Sequence, residues 1–167
     1  MKRILVVLSL ILTMGLVGCS SGSEYKNVST SNIKKAIESS NLLVEQPTEF
    51  EFKDGKFVYK DDTSLNFDYF NDILDKVKEG FIIRAAINVR LEDVIVIKTD
   101  DVDTVFTALE GYKKDMIDRL FGLGYGAEEN ADIAANTIIE KKGNYVYLIS
   151  AKNAKSIEEK ILEVIKK

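Results

Sequence analysis

The chain has 167 residues, 46% hydrophobic and 30% charged, with a single Pro and a formal net charge of −4. That is the make-up of one globular domain or two very small ones, and it excludes a collagen-like, mucin-like or wholly disordered chain. With no His, no Trp and one Cys, a Ser-His-Asp triad, a Cys-His dyad, a Cys/His zinc site and imidazole acid/base chemistry are all excluded.

Lys2 and Arg3 precede an apolar run, residues 4–17, interrupted by Ser9, Thr13 and Gly15. At roughly 14 residues this run is shorter than the ~20 of a membrane-spanning helix, and it reads as an export signal. It closes on Leu16-Val17-Gly18-Cys19, which resembles a bacterial lipobox. Small side chains there let a peptidase reach the bond between Gly18 and Cys19, and the Cys19 thiol takes a diacylglyceryl group. The expectation is a signal peptide over residues 1–18, lipidation of Cys19, and anchorage to the outer face of the cell membrane. Two acyl chains on one Cys hold stably, where a single chain binds reversibly. Loss of Lys2 and Arg3 leaves 21 basic against 27 acidic residues, a net charge of −6. This argues against a nucleic-acid partner and against a polybasic membrane patch. With Cys19 acylated no disulfide forms, so the core alone must hold the domain.

Residues 19–31 are small, polar and Ser-rich, and are expected to be a tether of at most ~40 Å. A single domain is expected over residues 32–167. Asn32 caps a first helix that turns Ile33, Ala36 and Ile37 inward, and Pro47 ends that region. Asp54-Gly55 suits a type I′ turn. It pairs Lys53 with Lys56, Phe52 with Phe57, and Phe50 with Tyr59, so that four aromatic side chains share one face. Phe70, Ile73, Leu74 and Val77 follow a helical spacing, with Gly80 as a stop. Ile83, Ala85, Ile87 and Val89 alternate with Arg84, Ala86, Asn88 and Arg90, predicting a strand with one wet face. Residues 94–99 predict a buried β-branched strand.

One long helix follows, its stripe running from Val102 through Val105, Phe106, Leu109, Tyr112, Met116 and Ile117 to Leu120. Asp100, Asp101 and Asp103 lie at its positive end, and Gly122 at its exit. A short helix is expected within residues 127–135. Strands over residues 137–141 and 144–150 join at Lys142-Gly143, and a last helix is capped by Ser156 with Glu159 or by Asn153. The order is a helix, then three strand-strand-helix units. The expected fold class is α+β, an antiparallel sheet of hairpins with helices packed on one face.

From about Val89 the sequence resembles the domain-of-unknown-function family numbered 4358. The resemblance is carried by Glu92-Asp93-Val94-Ile95-Val96-Ile97-Lys98, by the long charged helix, and by Gly143-Asn144-Tyr145-Val146-Tyr147-Leu148. The family's helix usually ends in a Tyr-Pro segment, where this chain has Tyr125-Gly126-Ala127. The resemblance implies an envelope location, since members often carry a lipoprotein signal. It implies no established activity and no catalytic residues.

Candidate chemistry is sparse. Asp100, Asp101 and Asp103 fail as a calcium loop, because Val105 and Phe106 stand where a third oxygen ligand and a Gly are needed; no metal site is expected. Gly122-Leu123-Gly124-Tyr125-Gly126 follows a helix rather than a strand and lacks a Lys-Ser/Thr ending, so it reads as a helix stop and connection. Arg84 and Arg90 suit a carboxylate or anionic polymer if their face is open, and ion pairs if helices cover it. The aromatic face of Phe50, Phe52, Phe57 and Tyr59 is core, or a protein or glycan contact if it projects; Tyr145 and Tyr147 carry the same ambiguity. The expected function is a non-enzymatic interaction or ligand-binding module at the envelope, without a cofactor, its partners the membrane through Cys19 and another envelope protein. The alternatives are a carboxylate-based cell-wall glycan hydrolase, needing two acids about 5–9 Å apart across a cleft, and a small-molecule-binding lipoprotein.

Overall fold

The computed structural model describes residues 24–167 except Glu45 and Asp61. The export signal, Gly18 and Cys19 lie outside the described residues. Seven strands form one antiparallel sheet: β1 Thr48–Lys53, β2 Lys56–Tyr59, β3 Asp62–Asn66, β4 Val77–Arg84, β5 Asp93–Thr99, β6 Ile138–Lys142 and β7 Tyr145–Ser150. Their order across the sheet is β3-β2-β1-β4-β5-β7-β6, and every neighbouring pair is antiparallel. The helices are α1 Thr30–Glu38, α2 Val102–Tyr112, α3 Asn130–Ala135 and α4 Ala154–Ile165, with a 3₁₀ segment at Asp68–Lys76 and a π-helical segment at Lys113–Phe121. The architecture is α+β, as expected. Among the described residues no helix is long and apolar enough to cross a membrane.

The helices cover both faces of the sheet, not one. All residues of β7, and all but Lys98 of β5, are buried. Strands that are apolar on both sides need cover on both sides. On one face Ile33 and Ile37 of α1 and Ile157, Ile161 and Ile165 of α4 pack against Phe81, Val94, Val96, Tyr145 and Tyr147. On the other, Val105, Leu109, Tyr112, Ile117 and Phe121 pack with the 3₁₀ segment against Ile82, Ile95, Ile97 and Leu148.

The Asp54-Gly55 hairpin forms in the predicted register, Phe50 opposite Tyr59 and Phe52 opposite Phe57. Both turn residues have positive φ, +50° and +79°, as a type I′ turn requires. Elsewhere the local spacing misleads. Phe70 and Ile73 do point inward, but from 3₁₀ turns kinked at Phe70 (φ −100°, ψ 21°), and Val77 already opens β4. Gly80 therefore lies inside a strand. A Cβ there would come within 3.1 Å of the Phe57 ring and 3.0 Å of the Val96 carbonyl oxygen, so the missing side chain makes room for Phe57.

The long helix changes winding at Lys113. The Gly122 amide donates to the Ile117 carbonyl, and Lys113 pairs with Asp118, both at a spacing of five. Ile117 and Phe121 are buried as a result, while Leu120, expected inward, is partly exposed. Asp101 is the N-cap of α2, its Oδ1 accepting from the Thr104 amide at 3.3 Å. Asp100 and Asp103 pair with Lys78 and Lys141. For α4 the cap position is Asn153, not Ser156.

The first helix begins upstream of Asn32. Ser29 caps α1, its hydroxyl accepting from the Ser31 amide. Tyr25 bridges to Lys166, and the Lys26 amide donates to the Ile165 carbonyl at 2.6 Å. The Tyr145 hydroxyl accepts from the Val28 amide at 2.7 Å and donates to the Val28 carbonyl at 2.6 Å. Glu79 receives the Ser29 hydroxyl, the Thr30 amide and the Lys98 ammonium. Residues 24–29 of the expected tether are thus docked on the domain, and its residues 19–23 lie outside the described residues.

Candidate functional site

Across one end of the sheet Thr48, Arg84, Asp93 and Ser150 stand side by side on β1, β4, β5 and β7. β4 stops at Arg84, where a longer strand through Val89 was expected. The Ala85 amide makes the last ladder bond, to the Glu92 carbonyl, and the Arg90 amide turns back to the Ile87 carbonyl. Ile87 and Val89 do alternate, but they have no partner strand and stand exposed; Leu91 is the residue of this loop that plugs the core. Arg84 and Arg90 therefore do not share a strand face. Both instead line a cleft of about 330 Å³ whose walls are residues 85–91 and the π-helical segment, with Met116, Leu120 and Phe121 among the lining side chains.

The floor of that cleft is a polar triad, two of its members, Asp93 and Tyr112, buried and the third, Arg84, part-exposed. Asp93 Oδ2 accepts from the Tyr112 hydroxyl at 2.5 Å, and Asp93 Oδ1 lies 3.4 Å from Arg84 Nε. The Arg84 guanidinium also lies over the Phe67 ring, 5.5 Å from its centroid. Burial pushes the Asp93 carboxyl above its usual range, against the opposing pull of Arg84 and Tyr112. Burial, and then the Asp93 carboxylate, raise the Tyr112 hydroxyl well above its ordinary value, so it stays a donor. Asp93 is the one carboxylate among the described residues lining the cleft.

Its neighbour Glu92 points to the opposite face, because successive side chains of an extended chain alternate. There it accepts the Val44 amide at 2.9 and 3.2 Å. Burial also raises Glu92, opposed by the Val44 amide and Arg90 and reinforced by Asp93. The two most buried acids therefore do not face one another across a cleft.

The walls are fixed to each other by Asn130, which is fully buried. Its Oδ1 accepts the Leu91 amide at 2.8 Å, and its Nδ2 donates to the Val89 and Tyr125 carbonyls at 2.9 and 2.7 Å. The Ala127 amide also donates to the Val89 carbonyl. Gly126 sits here with φ +82°, and a Cβ on it would come within 2.0 Å of the Val89 oxygen. The glycine run thus joins the helix end to residues 85–91 at close range. Two exposed apolar side chains line the cleft, Ile87 (57% exposed) and Leu120 of the π-helical segment, and three more are exposed on the adjoining loops, Val89 on one and Leu123 (83%) and Tyr125 on the other.

The aromatic hairpin face is not part of this surface. Phe50 and Phe57 are buried, and Phe52 and Tyr59 pack partly buried against the same core. Edge-on contacts join Phe52 to Phe57 and Phe50 to Tyr59, with centroids 5.3 and 6.0 Å apart. The contact reading of these four residues is therefore replaced by a core reading, and Phe50 alone of the four reaches the cleft. Tyr145 and Tyr147 are buried as well, the latter donating to Glu158 at 2.8 Å. Sequence reasoning missed the Asp93–Tyr112 bond. The available signal was an acid opening a strand whose next four residues are all apolar.

No curated protein and no solved structure matches the chain. A family model does, over residues 56–151, and it is described as Domain of unknown function (DUF4358). The match begins well upstream of Val89 and takes in Arg84, Asp93, Tyr112, Asn130 and both cleft walls. Because it spans more than half of the 167 residues, the chain belongs to the DUF4358 family.

Proposed function

We propose that this chain is exported, acylated at Cys19 and held on the outer face of the membrane, where it is a non-enzymatic module that contacts another envelope protein through the apolar rim of the cleft. The observation that carries the reading is the placement of the rim. Residues 24–28 join the domain beside Tyr145 and the turn at Gly143, where β7 starts. The cleft lies at the other end of the same strands, where Asp93 pairs with Ser150. Six residue steps of β5 separate the two ends, about 20 Å. A chain anchored through Cys19 would present the rim away from its lipid. Five exposed apolar side chains, four on two loops tied by the buried Asn130 and Leu120 on the helical segment beside them, form a pre-organised patch of the kind that marks contact surfaces.

Acid-pair hydrolysis draws no support from this cleft, since its one carboxylate is already engaged by Tyr112 and Arg84. Ligand binding is the second reading, favoured by the presence of the cleft beneath the rim.

The test is in-cell crosslinking and mass spectrometry on the full chain, beside Cys19→Ala and a Leu123→Ser/Tyr125→Ser variant. One envelope protein captured by the anchored chain and lost with both variants is the expected result. Capture unaffected by the rim substitutions would contradict the rim assignment, and unchanged acyl labelling of Cys19→Ala would contradict the anchor.

A further inference from the structure

The Arg84 guanidinium carries five N–H donors, and the protein uses few of them. Beyond the 3.4 Å approach of its Nε to Asp93, its contact with Phe67 and its charge interaction with Tyr112, it makes no side-chain hydrogen bond among the described residues. Its side chain is about one-third exposed, at the cleft floor. Asp93 itself is almost wholly buried, with Tyr112 on one oxygen and Arg84 flanking the other, and offers little surface to a cationic guest. Of the described lining residues only Arg84, Arg90 and Asp93 are charged, so the cleft carries one net positive charge. The surrounding wall is apolar, from Met116, Leu120, Phe121 and Ile87.

We propose that this cleft binds a small apolar carboxylate, its carboxylate on the open donors of Arg84 and its apolar body against Met116, Leu120 and Ile87. The proposal rests on the reading of this end of the domain as the binding face, and names the ligand that the space under the rim accepts. A planar guanidinium fork matches a carboxylate with two parallel hydrogen bonds. One negative charge balances the net charge of the cleft, whereas a phosphate dianion leaves a charge unpaired. A volume of about 330 Å³ is near the lower end of the ~300–1,000 Å³ of small-molecule sites, too small for a polymer. The membrane's own lipid is at the wrong end, since the chain enters the domain about 20 Å away along β5.

The experiment is calorimetric titration of the full acylated chain in nanodiscs with cyclohexanecarboxylate, its neutral carboxamide, and cyclohexyl phosphate. The expected result is that the carboxylate binds at least ten-fold more tightly than either of the others. Arg84→Gln combined with Asp93→Asn removes the fork without stranding a buried acid, and should abolish that preference while leaving the melting temperature within a few degrees. Arg90→Gln, at an exposed loop position, should weaken the carboxylate about two- to three-fold and serves if the double variant does not fold. Equal binding of acid and amide, tighter binding of the phosphate, or a preference that survives both sets of substitutions overturns the carboxylate assignment. Absence of binding by every probe overturns the cleft as a small-molecule site. The crosslinking of the rim is decided separately, because it needs no occupant in the cleft.

Discussion

The two faces of the sheet are closed in different ways, and two consecutive acids mark the difference. On the face under α1 and α4, Glu92 is buried with the Val44 amide as its partner. On the face under α2, Asp93 ends at the floor of an open cleft, beside an arginine with donors to spare. Both carboxyls are raised by burial. Both are shut away from water, and what separates a structural clasp from a candidate site is the neighbour, since Arg84 beside Asp93 is part-exposed at the cleft. The family match makes a similar division. It contains β2 to β7 and most of the cleft lining, while α1, β1 and all of α4 lie outside residues 56–151.

The largest expected break of this comparison is Ile161→Ala on the sealed face. Ile161 is fully buried, and such a truncation costs about 2–5 kcal/mol. Leu120→Ala on the cleft rim should stay within about 0.5 kcal/mol, because the side chain is already partly in water. Denaturant melts of the two variants read the contrast directly, and equal losses would mean that the rim is packed like core.

A smaller loss is expected from replacing Asp54-Gly55 by Ala-Ala. Both positions have left-handed φ, which costs an ordinary L-residue about 1–2 kcal/mol. An unchanged melting temperature would show that this turn does not constrain the hairpin.

The smallest effect is on pH dependence. A carboxyl whose folded value is raised binds its proton more tightly in the folded state, so its contribution to stability is complete below its unfolded value and declines as pH rises through the folded one. Asp93 and Glu92 both act in this sense. Asp93→Asn removes one of the two contributions while keeping an acceptor for Tyr112. Its melting temperature should gain on that of the parent chain as pH rises from about 4 towards neutrality. A constant difference between the two would contradict the raised Asp93.

The parts of this fold legible in the sequence are those settled by neighbours. Asp54-Gly55 and the flanking aromatics specify a hairpin register within ten residues, and the β-branched run at 94–99 specifies a buried strand. What was not legible depends on partners far along the chain. The alternation through Ile87 and Val89 looks like more strand, yet no strand pairs with it, and Asn130, some forty residues on, ties it to the glycine run. The spacing of Phe70 to Val77 fits a helix, but its apolar residues are served equally well by a 3₁₀ turn and the first residue of a strand. The Arg84–Asp93–Tyr112 triad needs both the β4–β5 register and the packing of α2, and neither can be seen in residue spacing.

The central claim is that the end of the sheet bearing Asp93 is the working end. Its most direct test is a photo-reactive amino acid placed in the full chain in cells, at Leu123 on the rim and, in a second protein, at Glu159, which is exposed on α4 of the sealed face. The account predicts a discrete crosslinked product from position 123 and none from position 159. A product from 159 alone, or the same product from both, would contradict it.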